Sequence, residues 1–163
     1  MIRRLRAADA PDWRILRLEA LERHPEAYGS THDDWVGEPT TAFAARLEES
    51  HVFGAFDADK LVGCLALDLM RGGHVHHRAW ITGVYVRDGH RNHGHARAML
   101  TSAERRARHE GVIQLELHVA ETNSPARDLY ERDGYEFTGI SPRALCRNGR
   151  FIDEMLMVKR LDA

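Results

Sequence analysis

Cysteine is scarce in this chain. There are two, Cys64 and Cys146. They lie far apart and form no metal-type pair, and both read as reduced thiols of a cytoplasmic protein rather than as a disulfide. Neither sign of charge dominates: across 163 residues the net charge is −2. That balance gives no global reason to expect nucleic acid or an anionic membrane as partner. No apolar run approaches the roughly 20 residues that span a bilayer. The opening "MIRRLRAADAPDW" turns polar too early for a signal peptide. No repeat, low-complexity tract or linker appears, so residues 1–163 are expected to form a single domain with a substantial core. Two nucleotide signatures are missing as well. No Lys-Ser/Thr follows a glycine turn as in a Walker A loop, and no G-x-G-x-x-G occurs. A triphosphatase and a Rossmann dinucleotide binder are thereby disfavoured.

Histidine, by contrast, is plentiful, with 11 in the chain. Six fall in "HVHH" (His74, His76, His77) and "HRNHGH" (His90, His93, His95). Neither cluster comes with a second spaced pair of Cys or His as a zinc site would require, so no metal is expected.

The pattern of apolar residues orders the elements. "IRRLR" alternates as a first strand. Asp9 is placed to cap a helix through "PDWRILRLEALERH", with Pro11 in its first turn. "HPEAYGSTHDDWVGEPT" breaks regularity, and "TTAFAARLEES" is a second helix that carries Phe43 and Leu47 on one face. "HVFGAFD" and "KLVGCLALDLMR" form strands joined by a "DADK" turn, and "GGHVHH" is a further turn. "RAWITGVYV" is apolar on both faces, as in a covered central strand. From Ala96 the stripe Ala96, Leu100, Ala103, Ala107 is helical, Glu104 pairs with Arg108, and Gly111 suits the end. "IQLELHV" is a strand. "NSPARDLYERDG" is a short helix with Ser124 at its cap and Pro125 at its first position. "YEFTGI" and "FIDEMLMVKRL" close the chain as strands. The result is an α/β fold, a mixed sheet of about seven strands flanked by about four helices.

The stretch "VYVRDGHRNHGHARAML" hands a strand over to a helix. A helix N-terminus offers unpaired N–H groups and partial positive charge, and a glycine there lets an anion approach the backbone. Gly94 has no side chain, Ala96 almost none, and Arg91 adds a cation suited to phosphate. The turn is built like a diphosphate cradle. Here the chain resembles the GNAT family of N-acetyltransferases, whose acyl-coenzyme A motif is R/Q-x-x-G-x-G/A. Arg91, Gly94 and Ala96 occupy its defining positions. "NSPARDLYERDGYEFTG" is similar to the family's second signature at Asn123, Ala126, Tyr130, Gly134 and Tyr135. The order of elements also matches, which implies the GNAT fold with its mostly antiparallel sheet.

The resemblance implies a function and a set of roles. Acetyl-CoA would be the cosubstrate, with no metal and no covalent enzyme intermediate. Backbone groups of Val84 and Val86 would hold the pantetheine arm, and the amides from His93 through Gly94, His95 and Ala96 to Arg97 its pyrophosphate. Asn123 would bond the arm. Tyr130 would protonate the leaving sulfur, and the Val86 N–H would stabilise the developing oxyanion. The acceptor would be a primary amine, on a small molecule or a protein. An alkyl amine has a pKa of about 10, so a base or a water must take its proton.

Many family members carry a carboxylate on the strand before the turn, and "AWITGVYV" has none. Glu116 leads the candidates, with His118, Asp153, Glu154, His77 and a water chain as alternatives. Between the first two helices, Glu22 to Glu38 holds five acidic residues against one arginine. With Tyr28 and Trp35, and with Glu154 from the last strand, it would suit a cationic amine. The last strands could carry a homodimer. A non-catalytic acyl-CoA binding module on the same fold is the rival reading.

Overall fold

Seven strands form one sheet in the order β1-β2-β3-β4-β5-β7-β6. The structure is a computed structural model that describes all residues, 1–163. The strands are β1 (Ile2–Arg4), β2 (His51–Asp57), β3 (Lys60–Leu69), β4 (Arg78–Val86), β5 (Gln114–Ala120), β6 (Glu136–Arg147) and β7 (Arg150–Arg160). Every neighbouring pair is antiparallel except β4 with β5. That parallel pair needs a crossover. Helix α4 (His95–His109) supplies it.

Helices α1 (Ala10–Arg23) and α3 (Thr40–Glu49) cover one face of the sheet. Trp13, Leu16, Ala20, Phe43 and Leu47 pack there against Val52, Leu61 and Tyr85. On the other face, Met99, Leu100, Ala103 and Ala107 of α4 and Tyr130 of α5 (Ser124–Arg132) pack against Val62, Leu65, Leu115 and Leu117. β4 is therefore covered on both sides, as its apolar composition demands. The expected pair Glu104–Arg108 forms at 3.0 Å, and Glu104 also receives Lys159 from β7 at 2.7 Å.

Three local expectations are corrected. A fifth helix, α2 (His32–Val36), lies in the stretch read as irregular. It starts at a capping box in which Asp34 N–H donates to the Thr31 hydroxyl while the Thr31 N–H donates to the Asp34 carboxylate. Asp9 precedes α1 without capping it, because its carboxylate is spent on the Arg6 N–H and the Arg3 guanidinium. Asn123, not Ser124, caps α5, accepting from the Ala126 N–H at 3.3 Å.

The β4–β5 seam positions the site. The two strands pair only from Arg78 to Trp80 and from Gln114 to Glu116. Beyond that point β4 stays paired with β3 up to Val86, while β5 stays paired with β7 up to Ala120. Each strand is held from its outer side, so the seam opens between them. Gly83, with its left-handed φ of 60°, falls in the same part of β4 where the register with β3 shifts. Such an irregularity re-aims a strand locally.

Candidate active site

Two neighbouring cavities border the parted seam. The larger, about 680 Å³, runs from Val84 and Val86 past the Gly94 turn to Asn123 and Tyr130. The smaller, about 420 Å³, is walled by α1, the Tyr28–Trp35 segment and β7. Tyr28, Ile81, Thr82, Gly83 and His118 border both.

The turn between β4 and α4 is unusual in what it leaves unspent. Gly94 stands at the N-cap with φ 81°, and no side chain caps the helix. A Cβ on Gly94 would meet nothing within 4 Å, so the backbone there is open as well as left-handed. The first amides of α4 thus face the cavity without a partner of the cap type, as an anion site requires. His95, Ala96 and Arg97 line the cavity, and His93 does not.

Arg91 differs from the free cation expected for it. Its Nε donates to the Val86 carbonyl at 3.0 Å, and its Nη2 lies 3.2 Å from Asp88 and 3.0 Å from His24. Arg91 braces the turn with these nitrogens, and Nη1 is what it has left for an anion. The Val84 carbonyl is likewise taken, by the Tyr28 hydroxyl at 2.9 Å. The Arg87 N–H donates to Val62 on β3. By strand alternation the N–H groups of Val84 and Val86 therefore point the other way, into the opening.

Tyr130 is buried at 7% exposure and lines the larger cavity. Burial alone raises its pKa, so the phenol stays protonated and able to donate. Tyr135 packs edge-on against it at 5.8 Å. The Asn123 Oδ1 is occupied by the α5 cap, which leaves its amide NH₂ as a donor.

Glu116 is the chief correction. It is 2% exposed, and Arg78 grips both of its carboxylate oxygens through Nε and Nη2. Gln114 adds a third donor at 3.1 Å. These bonds hold its pKa below the usual carboxylate value, with the Arg78 hydrogen bonds the main cause. It lines neither cavity. A carboxylate so satisfied is a poor proton acceptor. His77 and Asp153 also lie off both cavities, and Asp153 accepts from the Arg143 N–H at 2.8 Å. His118 and Glu154 remain on the smaller cavity, and His118 stacks on Trp80 at 5.0 Å.

The acceptor wall also departs from expectation. Tyr28 and Trp35 do line the smaller cavity, but none of Glu22, Glu26, Asp33, Asp34 and Glu38 does. Its charged residues are Arg17, Arg46, Asp68 and Glu154. Arg17 went unremarked in the sequence, although its place was legible. It follows Trp13 by four residues and precedes Leu21 by four, on the buried face of α1. No group of three or more His, Cys, Asp or Glu is placed to hold a metal ion.

The open seam is flanked by an uncapped glycine turn and a buried tyrosine, which carry the two motifs. The chain belongs to the acetyltransferase (GNAT) family, whose model matches residues 4–135. No curated protein matches it in sequence. Among solved structures, a GNAT-family acetyltransferase from Streptococcus pneumoniae is similar with a TM-score of 0.87 and 21% identity, covering 99% of this chain and 98% of its own. A ribosomal-protein-alanine N-acetyltransferase from Brucella melitensis has a TM-score of 0.82 and 22% identity, with 99% of both chains covered. The Salmonella typhimurium protein yncA, solved with its cofactor acetyl-CoA, has a TM-score of 0.82 and 21% identity, covering 100% of this chain and 94% of its own. At these identities the likeness speaks for the fold.

Proposed function

We propose that the protein transfers an acetyl group from acetyl-CoA to a primary amine by direct attack. The observation that carries this reading is that the two cavities share Tyr28, Ile81, Thr82, Gly83 and His118 in their walls, with the bare α4 amides and Tyr130 on one and Glu154 on the other. The thioester supplies an activated acetyl group. The α4 amides from Gly94 to Arg97, with Arg91 Nη1, bind the diphosphate. The Val84 N–H and the Asn123 amide orient the arm, and the Val86 N–H faces the charge that develops on the carbonyl oxygen. Glu154 or His118, directly or through a water, takes a proton from the acceptor ammonium. As the new C–N bond forms and the C–S bond breaks, Tyr130 gives its proton to the departing sulfur. The base passes the first proton to solvent and then takes the amine's second, and Tyr130 is reprotonated from solvent.

A homodimer through the last hairpin belongs to the same proposal, because Phe137, Ile140 and Phe151 are exposed there. Light scattering that returned a single 18.6 kDa chain would remove it.

The test is thiol release from acetyl-CoA across a panel of amines. Amine-dependent release is expected. Acetyl-CoA binding with no release for any amine would leave only an acyl-CoA binding module.

A further inference from the structure

Two charged side chains are buried in this protein, Glu116 and Arg17. Glu116 has its counter-ion in Arg78. Arg17, 9% exposed, has none, and its Nη1 is sealed from solvent without a hydrogen-bond partner. A guanidinium keeps its proton in proteins, so burying it unpaired is a standing cost.

The surroundings of Arg17 hold a cation without satisfying it. The rings of Tyr28 and Trp35 lie 4.9 and 5.0 Å from its central carbon. Aromatic faces attract a guanidinium but offer its N–H groups no acceptor oxygen. Its Nη1 sits 3.5 Å from where a Gly83 Cβ would be, against the stretch of β4 that borders both cavities. Arg17 therefore stands in the wall of the smaller cavity, beside the opening through which an acceptor amine would meet the thioester. The same cavity carries Asp68 and Glu154. At about 420 Å³ it has the size of a small-molecule site.

We propose that the acceptor is a small amine bearing its own carboxylate, an amino acid or a close relative, and that Arg17 pairs with that carboxylate. This rests on the acetyltransferase reading. It deepens it by favouring a free small molecule over a protein amine, since a lysine or an N-terminus inside a peptide carries an amide where the carboxylate should be. A planar fork of N–H donors matches a carboxylate bidentately. Asp68 and Glu154 complement the ammonium of the same zwitterion. Of the acidic residues that sequence suggested for recognition, none lines the smaller cavity, and only Glu26 borders the larger one.

The experiment is a thermal-shift titration with the standard L-amino acids and, in parallel, their carboxamides, with and without CoA. This arm needs no acetyl transfer, so it fails or succeeds apart from the enzymatic reading, which thiol release tests. At least one amino acid should stabilise the wild type, with its carboxamide binding about 10- to 100-fold more weakly. Arg17→Gln should erase that difference while leaving stabilisation by acetyl-CoA intact. Acids and carboxamides that act alike on the wild type would overturn the proposal, as would a panel in which no acid binds. An acid preference that survives in Arg17→Gln would overturn the role of Arg17. If that variant fails to fold, the wild-type comparison of acid with carboxamide decides alone.

Discussion

The two ends of the β4–β5 seam treat their polar groups in opposite ways. At the closed end, Arg78, Gln114 and Glu116 satisfy one another around a carboxylate that is almost wholly buried. At the open end, α4 begins without a side-chain cap, the β4 amides face a gap, and Arg17 has no counter-ion. Buried polar groups are normally satisfied. The satisfied end holds the strands together, and under the proposed function ligands would supply the missing partners at the unsatisfied end. The two strand-to-helix turns repeat the contrast on a smaller scale, since α5 is capped by Asn123 and α4 by nothing.

Changes that break the contrast should differ in what they damage. The largest effect is expected from Gly94→Glu, which sets a carboxylate among the bare amides. Stabilisation by acetyl-CoA should vanish in a thermal-shift assay. Gly94→Ala, which bears only the left-handed strain of about 1 kcal/mol, should lose stability and still bind. Tyr130→Phe comes next. The kcat should fall about 100-fold with acetyl-CoA affinity unchanged, and unchanged turnover at saturating substrate would remove its role as acid.

At the closed end, Glu116→Gln should cost about 2 kcal/mol in denaturant unfolding at neutral pH, because Arg78 loses its partner. The folded-state pKa of Glu116 is lowered from its ordinary value of 4.5. Its contribution is therefore complete above that value and disappears as pH falls through the lowered one. The gap between wild type and variant should close in acid, and a gap that widened there would contradict the pairing. Smallest of all, Asn123→Ala should cost about 1 kcal/mol through the lost α5 cap, read from the same unfolding curves.

Much of this arrangement was readable in the sequence. The stripe through Leu100, Ala103 and Ala107 repeats at helical spacing, so α4 and its glycine turn could be placed from residues alone. Seven strands were legible because turns and alternation separate them. Helix α2 escaped because its cap residues, Thr31 and Asp34, sit in a stretch too short for periodicity to show. Asn148 and Gly149, with φ of 52° and 74°, make the tight turn up to which β6 runs, well beyond the expected strand, and from which β7 starts. Glu116 looked like a base because alternation gives a face but not a partner. Its partner, Arg78, is 38 residues away and meets it only across the parallel ladder. Arg17 is easily passed over because a cation on a helix usually faces water, although its spacing from Trp13 and Leu21 marks the buried face.

The central claim is that the open end of the seam is the acetyl-CoA site. Hydrogen exchange of the backbone amides, measured with and without acetyl-CoA, tests it most directly. Slowed exchange confined to Val84–Val86, to Gly94–Arg97 and to the start of α5 is predicted, with Arg78–Trp80 and Gln114–Glu116 unchanged. Protection that appeared elsewhere, or at neither end of the seam, would contradict it.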